Sequence, residues 1–502
     1  MTKMPHGMSR YDTLLKEALH NCDMAAAPAL PQVFGYLLGR NPITGNLDHA
    51  EIVEAFIALV DGMQTSALTP GPAEAGQTFF GQFIDHDITL DATSQLGTHT
   101  DPATIRNVRT PNLDLDCVYG DGPEASPHLY AQSDDQEGFL LFGREGSPND
   151  LPRNDKGRAL IGDPRNDENI LVSQIQGAFI KLHNILMSKV VDDAALRDAV
   201  FHCAEDGVRS EVWHRMLPEG LERFEKVRRF IRLHYQWLVL HDFLPAFVDQ
   251  ACIDLALRTD PFGADAPIMP AEFSVAAYRF GHATVQPTYD INEHKKATQL
   301  FALHGFGPRG PEWDMDMSLF FGTQAQKALP VGPKMAKTLF ALPDNVAHGD
   351  ADWNGVTIEE VHAKKLGLRN ILRDRTTIQL PSGQQVSRHL GLPELPAPAE
   401  LAKRHITKTP LWFYCLQEAH ERGDGKLTGV GGTIVASVLA RLLKLDRESV
   451  LHLHGFRPWG GFGPKFSCAA MMEYVDGNAH AIHGATELYC GPATEKVAEP
   501  AE

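Results

Sequence analysis

The chain has 502 residues, which is enough for a sizeable core or for about three average domains. Its 46 Lys and Arg against 64 Asp and Glu give a formal net charge of −18, which disfavours nucleic acid as a partner because the field of the whole molecule repels phosphate. The seven cysteines lack zinc-type spacing, no apolar run reaches the roughly 18 residues of a membrane span, and the N-terminus has no apolar signal region, so we expect a cytoplasmic protein with free thiols.

Helical periodicity predicts a mainly α-helical chain. We expect an N-terminal arm over residues 1–75, which ends at a Pro/Gly break at 69–72, and an unordered tail over 486–502. No internal repeat or second shift in composition marks another domain between them. The predicted helices span residues 11–19, 49–63, 76–91, 170–190, 223–248, 273–287, 333–342, 357–373, 398–404, 410–422 and 431–445.

The predicted helix at 76–91 carries polar side chains on one face. Gln82, Asp85 and His86 stand at i, i+3 and i+4, while phenylalanines anchor the opposite side. Three titratable groups in a row, Asp85, His86 and Asp87, need partners if they are buried. A solvated helix end explains the triplet equally well when it is taken alone.

Oxygen-bearing side chains alternate in the loop that follows. Thr110, Asn112, Asp114 and Asp116 occupy every second position. Calcium takes about six to eight oxygen ligands from such groups, so the loop suits a hard cation. A polar turn has the same alternation, and the loop lacks the features of an EF-hand.

Two later segments offer further candidates. Arg165 and Glu168 lie in a Pro/Gly-rich turn before a helix, where capping and ion pairing would also account for them. In the helix predicted at 273–287, Gly281 precedes His282 and would let a flat object come close. Taken alone, His282 is more simply a core histidine with satisfied hydrogen bonds.

Together these segments resemble the animal-type haem peroxidase family, the myeloperoxidase–cyclooxygenase superfamily, and we expect a bacterial-type member. The resemblance covers roughly residues 75–480 and implies one mainly α-helical catalytic domain, over 76–485, with haem b between a distal and a proximal helix. The matching motifs are the distal-histidine motif at 81–87, the calcium loop at 110–119, the distal arginine and glutamate at 162–168, the proximal-histidine motif at 279–282, and more weakly the asparagine and arginines at 370–375.

The resemblance implies a peroxidase, active in the response to oxidative stress, that reduces hydrogen peroxide and oxidises halide, pseudohalide or aromatic donors through a ferryl intermediate. His282 would be the axial iron ligand, His86 the distal acid–base group, and Arg165 the group that stabilises developing negative charge. Gln82 would orient distal water or a halide. The other implied roles are haem esters from Asp85 and Glu168, acceptance of the second His282 ring N–H by Asn370, contacts of Arg279 and Arg373 with the haem periphery, and calcium binding by Asp87, Thr110, the Asn112 carbonyl, Asp114 and Asp116.

Two positions depart from the family pattern, and the carboxylates beside His86 raise a separate point. Asn169 stands where myeloperoxidase has a methionine that makes a third haem link, so we expect at most two esters and donors that are easier to oxidise than chloride. Asp116 replaces a serine typical of animal members and should strengthen calcium binding. The carboxylates beside His86 should raise its pKa, and we expect an ester at Asp85 and calcium at Asp87 to offset this effect.

Two other functions fit parts of the sequence. A fatty-acid oxygenase of the same superfamily carries a radical tyrosine three residues before the proximal histidine; Arg279 occupies that position here, and Tyr278 would point elsewhere. A non-catalytic, calcium-stabilised helical interaction protein would carry no haem at all. The sequence defines neither the physiological electron donor nor the oligomeric state.

Overall fold

The fold consists mainly of helices. The computed structural model describes residues 34–42, 48–90, 107, 109, 111–201, 219–353 and 355–491. The helix predicted at 11–19 lies outside them. The α-helices within the described residues are α1 (His49–Asp61), α2 (Ala75–Ile88), α3 (Asp116–Tyr119), α4 (Ile170–Lys189), α5 (Ala194–Phe201), α6 (Glu219–Leu238), α7 (Leu244–Phe247), α8 (Gln250–Arg258), α9 (Glu360–Ala363), α10 (Leu366–Leu372), α11 (Gly383–His389), α12 (Ala399–Ala402), α13 (Leu411–Arg422), α14 (Gly429–Leu445) and α15 (Cys468–Asn478).

Tighter and wider helical turns connect several of these helices. The 3-10 turns are Pro127–Leu129, Asp134–Gln136, Pro164–Asp167, Ala277–Ala283, Leu300–Leu303, Pro311–Trp313, Met317–Leu319, Lys337–Phe340, Gly460–Phe462, Ala479–Ala481 and Ala485–Leu488, and the π-helical segments are Val239–Phe243, Glu272–Ala276 and Arg373–Ile378. The predicted mainly α-helical fold is confirmed. Inside the helix predicted at 223–248, Pro245 lacks an N–H, and a π-helical segment lies between α6 and α7.

Within the described residues, eight short strands pair in twos, and two of the pairs join distant parts of the chain. β1 (Phe34–Gly35) pairs with β3 (Met269–Pro270) and β2 (Gln64–Thr65) with β6 (Met335–Ala336), both in parallel, while β4 (Thr288–Tyr289) with β5 (Thr298–Gln299) and β7 (Ala351–Trp353) with β8 (Val356–Ile358) are antiparallel. The prediction of a helix at 333–342 is therefore wrong. Tertiary pairing of Met335 with Gln64 overrides its local periodicity and leaves only a 3-10 turn after β6.

The core is rich in stacked aromatic rings around α2. Phe83 lies parallel to Phe179 of α4 with ring centroids 5.0 Å apart, and Tyr235 of α6 meets both rings edge-on. Such pairs add to the burial of apolar area. This packing fixes α2 between α4 and α6 and holds its polar face in one orientation.

Both ends of the described chain pack onto this core. Ile52 and Phe56 of α1 belong to the same buried cluster as α2, so this part of the predicted N-terminal arm is an integral layer of the domain. At the other end, Leu488 is buried and the Cys490 N–H donates to the Gly143 carbonyl at 3.0 Å. Ordered structure thus continues to residue 491, past the predicted start of the tail at 486, because Leu488 anchors it. Among the described residues, no helix is both long and apolar enough to cross a membrane.

Candidate active site and cation cluster

The polar face of α2 is less deeply buried than its apolar face. Phe83 and Ile84 are fully buried, whereas Gln82 and Asp85 are only partly covered. His86 is buried, and its Nδ1 lies 2.7 Å from Asn166 Oδ1. The other ring nitrogen, Nε2, lies 3.8 Å from Glu168 Oε1. The triplet of the sequence is therefore not a solvated helix end.

The turn at Pro164–Asp167 brings Arg165 and Glu168 to His86. Asp163 begins this turn by accepting the Arg165 backbone N–H at 2.8 Å, and it also binds the Arg165 Nε at 3.1 Å. Arg165 Nη2 donates to the His86 carbonyl at 3.1 Å, which ties the turn to α2. Glu168 accepts a hydrogen bond from the Gln82 amide.

Asn169, and not Glu168, caps the N-terminus of α4. The Asn169 side chain accepts the Leu171 N–H at 2.8 Å at the start of α4. The interpretation of Glu168 as a cap is wrong, because its carboxylate turns toward Gln82 and His86. Asn169 itself, which stands where a third haem link would be made, is engaged in the cap.

The pKa of His86 is lowered to about 4, contrary to the expectation from its neighbours in sequence. Burial is the largest cause, and the positive charge of Arg165 acts in the same direction. Asp85 and Asp163 raise the pKa by less. His86 is thus neutral at physiological pH without an ester at Asp85 or a metal at Asp87.

The second histidine lies on a segment of mixed helical geometry, a π-helical turn over Glu272–Ala276 followed by the 3-10 turn Ala277–Ala283. His282 is half-buried there, and its Nδ1 lies 2.9 Å from the Asn370 amide nitrogen. The predicted partner is thus present, although the amide nitrogen is the atom turned toward the ring. Burial, then Arg279 and Arg373, lowers the pKa of His282 to about 3. This imidazole is also neutral.

Hydroxyl groups join the two histidine-bearing segments. The Tyr278 hydroxyl donates to the Gly81 carbonyl at 3.1 Å, and the hydroxyls of Thr78 and Thr284 lie 2.9 Å apart. Beside His282, a Cβ added to Gly281 would meet no atom within 4 Å. Open space next to a neutral imidazole, among partly exposed polar side chains, fits a flat prosthetic group such as haem.

Three carboxylates converge at the C-terminal end of α2. Asp87, Asp114 and Asp116 each offer an oxygen within 4.8 Å of the others. Asp87 Oδ1 and Asp114 Oδ1 are buried and make no hydrogen bond among the described residues. Burial raises the pKa of Asp87 to about 6 and that of Asp114 well above its usual value. A hard cation would satisfy these oxygens, so the donor set fits calcium.

The loop reaches this cluster through strained backbone. Leu113 and Leu115 adopt left-handed conformations, with φ of 53° and 63°, which is uncommon for residues other than glycine. The two turns bring Asp114 and Asp116 to the same point. Thr110 lies outside the described residues.

Several residues of the site escaped the sequence analysis. Arg109 pairs with Asp163 at 2.8 Å and with Asp116 at 3.4 Å, so it links the carboxylate cluster to the Arg165 turn. Asn166 binds His86. The only sequence signal for Asn166 and Asp163 is their position beside Arg165, and Arg109 has none.

Comparison with known proteins points to one superfamily. The sequence model of the family described as animal haem peroxidase matches residues 92–306, a span that includes Arg165 and His282. No curated protein matches the chain significantly. Among solved structures, Peroxidase A from Dictyostelium discoideum is similar, with a TM-score of 0.57, 15% identity, and coverage of 90% of this chain and 94% of that one.

Fatty acid alpha-dioxygenases are similar to a comparable degree. The enzyme from Oryza sativa has a TM-score of 0.54 and 14% identity and covers 90% of this chain and 82% of its own. The enzyme from Arabidopsis thaliana has a TM-score of 0.52 and 16% identity, with coverage of 88% and 75%. At such identities the similarities establish a shared fold and leave the reaction open.

Proposed function

The chain belongs to the animal haem peroxidase family, and we propose that it is a peroxidase that reduces hydrogen peroxide and oxidises small halide, pseudohalide or aromatic donors. The observation that carries this proposal is the environment of His86. A buried imidazole with a pKa of about 4 lies beside a guanidinium and a carboxylate. The bacterial-type assignment, the cytoplasmic location and the role in oxidative stress stay predictions.

The residues around His282 are suited to hold haem. Its neutral imidazole would supply the axial ligand, and the Asn370 amide, after a half-turn that presents its oxygen, would accept the Nδ1 proton and fix the tautomer. Arg279 and Arg373 carry the positive charge that haem propionates need. Haem, when bound, supplies the redox-active iron of the reaction. Asp85 on α2 and Glu168 after the turn Pro164–Asp167 are both partly exposed and would be the two carboxylates for ester links.

His86 performs the proton transfers in this proposal. Its Nε2 accepts a proton from hydrogen peroxide and returns it to the oxygen that leaves as water, since the neutral ring is a base at working pH. Arg165 stabilises the negative charge that develops on the departing oxygen. Hydrogen bonds to Asp163 and to the His86 carbonyl already fix the guanidinium, so orienting it costs little free energy during the reaction. Gln82, held by Glu168, orients water or a halide.

In this proposal, calcium stabilises the active site by linking two of its segments. Asp87 follows His86 directly on α2, while Asp114 and Asp116 come from the loop, so a shared cation would join the loop to the helix that carries the base. The backbone carbonyl of Asn112 and the side chain of Thr110 would complete its oxygen ligands.

A fatty-acid oxygenase is the second candidate, because two of the similar structures are fatty acid alpha-dioxygenases. Radical chemistry at Tyr278 is disfavoured by its hydrogen bond to the Gly81 carbonyl, which is a weak base for the phenolic proton. Turnover of linoleate with and without dioxygen separates the two candidates: oxygen-dependent product formation without peroxide would favour the oxygenase.

The decisive experiment loads the full-length protein with haem and compares three variants. We expect a Soret band in wild type that resists extraction with acidified acetone if the esters form. His86→Ala should retain haem and lose about 10²- to 10⁴-fold in the rate of reaction with peroxide, the usual contribution of a general acid–base group. His282→Ala should weaken haem binding.

Exposed His294 supplies the matched control, since His294→Ala removes an imidazole whose ion-pair partner is the exposed Glu293. It should behave as wild type in both assays. Absence of a Soret band from wild type would support a non-catalytic protein instead, and the reverse pattern at His86 and His282 would exchange their assigned roles.

A further inference from the structure

His86 ends a chain of three hydrogen bonds that runs through two buried amides. Its Nδ1 contacts Asn166 Oδ1 at 2.7 Å, and Asn166 Nδ2 contacts Gln176 Oε1 at 2.8 Å. Gln176 Nε2 then contacts the Cys117 backbone carbonyl at 3.1 Å. Asn166 and Gln176 are both completely buried, so water does not compete for these groups.

The backbone carbonyl fixes the direction of the whole chain. A carbonyl oxygen only accepts hydrogen bonds, so the Gln176 atom that faces Cys117 must be the amide nitrogen. The other end of that amide is then an oxygen, and the Asn166 atom that faces it must be a donor. Asn166 therefore presents its oxygen to His86, and the His86 Nδ1 must carry a hydrogen.

We propose that Asn166 and Gln176 are positioning residues that hold the proton of neutral His86 on Nδ1 and leave the Nε2 lone pair on the side of the ring that faces Glu168. Glu168 acts in the opposite direction, because its carboxylate near Nε2 favours a proton there. At 3.8 Å this contact is too long for a hydrogen bond, whereas the Asn166 contact has good geometry and is fully buried. The oriented amide thus prevails.

The significance of this tautomer for catalysis rests on the proposed function. A base that accepts the peroxide proton at Nε2 needs its lone pair on that nitrogen. With the hydrogen on Nε2 instead, the lone pair would face Asn166 and be of no use. The tautomer itself is a property of the protein and can be measured without haem.

Two other buried histidines provide internal references. His183 has Nε2 at 2.9 Å from the Gly138 carbonyl, which requires the hydrogen on Nε2. His234 has Nδ1 at 2.7 Å from the Phe230 carbonyl, which requires it on Nδ1. Among the described residues, these two histidines thus give one example of each tautomer fixed by backbone, in environments as buried as that of His86.

Nitrogen NMR of the full-length chain, labelled with ¹⁵N-histidine and produced without added haem, tests the proposal. At neutral pH we expect the His86 nitrogens to match those of His234, with Nδ1 protonated. Gln176→Met does not touch His86, yet it frees the Asn166 amide to rotate and should produce a mixture of tautomers. Asn166→Leu should do the same, while Asn166→Asp, which still accepts from Nδ1, should restore the wild-type pattern.

The reference signals of His183 and His234 show whether each variant keeps the fold. A wild-type His86 that matches His183 would overturn the proposal, and an unchanged His86 in Gln176→Met would remove Gln176 from it. In haem-loaded protein we expect Asn166→Leu to slow the reaction with peroxide by about 10²-fold. Failure to bind haem would refute the proposed function and leave the NMR result valid.

Discussion

The Arg153 guanidinium binds both carboxylate oxygens of Asp167, at 2.7 and 2.8 Å. The same guanidinium binds Asp150 at 3.0 Å, and all three side chains are almost fully buried. Asp167 ends the turn that carries Arg165 and immediately precedes Glu168. The pair therefore anchors the turn that delivers two proposed active-site residues.

Arg153→Met should destabilise the protein strongly, because it leaves the buried Asp167 carboxylate without its guanidinium partner, while Asp150 keeps its pair with Arg144. Loss of one member of a buried ion pair costs about 3–5 kcal/mol. Urea unfolding monitored by circular dichroism measures the difference. Arg388→Met breaks an exposed pair with Glu394 and should cost less than about 1 kcal/mol. Equal effects of the two substitutions would contradict the anchoring role.

Calcium should stabilise the protein through the aspartate cluster. At a free calcium concentration about 100 times the dissociation constant, binding adds about 2.7 kcal/mol to the free energy of unfolding. Asp114→Asn should abolish most of this gain, and in the absence of calcium it should leave stability unchanged or higher, because it removes one of three crowded carboxylates. Thermal unfolding with calcium and with a chelator measures both effects.

Asp352→Asn, a substitution at an exposed position of β7, is the control for the calcium experiment and should leave the calcium-dependent shift intact. If wild type unfolds at the same temperature with calcium and with chelator, the cluster does not bind the ion.

Stability should also depend on pH through Glu272. Its carboxylate accepts the Leu37 N–H at 2.9 Å, but burial dominates and raises its pKa to about 7 from the usual 4.5. Between these values the folded protein keeps a proton that the unfolded chain has lost. Glu272 therefore stabilises the fold fully below about pH 4.5, and this contribution is lost as the pH rises through about 7, by about 3 kcal/mol in all.

Glu272→Gln removes this titration. The difference in unfolding free energy between wild type and variant, measured by urea between pH 5 and pH 7.5, should shift against wild type as the pH rises. Glu394→Gln, at an exposed carboxylate, should show no such trend. A constant difference for Glu272→Gln would mean that this carboxyl titrates at its ordinary pKa.

Much of the fold could be predicted from sequence because helical periodicity is local information. The helix starting at Ile170 was found within one residue, since the apolar spacing begins there, although its cap is Asn169 and not the predicted Glu168. The segment at 333–342 was not, because its pairing partner Gln64 lies far away in the chain. Burial likewise reversed the expected direction of the pKa shift of His86. The neighbouring carboxylates in the sequence predict a raised pKa, whereas the desolvation that lowers it depends on the folded core.

The residues of the candidate site that belong to a sequence motif were predicted. Those defined only by their three-dimensional contacts were missed. His86, Arg165 and Glu168 were identified through a resemblance and come together in the structure. Asn166 and Gln176 act through the direction of hydrogen bonds, which depends on a carbonyl fifty-nine residues from Gln176. No spacing rule contains that information.

Gly281 offers a test that separates folding from haem binding. Its φ is not in the left-handed region, and a Cβ there would meet no protein atom within 4 Å, so Gly281→Leu should fold with stability within about 0.5 kcal/mol of wild type. The new side chain would project into the open space beside His282 and should weaken haem binding by at least about tenfold, which is about 1.4 kcal/mol.

The measurements are thermal unfolding of protein without haem and a haem titration followed by absorbance. Gly477→Leu is the matched control, since a Cβ at Gly477 also meets open space but on the exposed side of α15. It should leave haem affinity unchanged. Equal haem affinity of Gly281→Leu and Gly477→Leu would show that the space beside His282 is not where haem binds, and the assignment of His282 as axial ligand would then have to be abandoned.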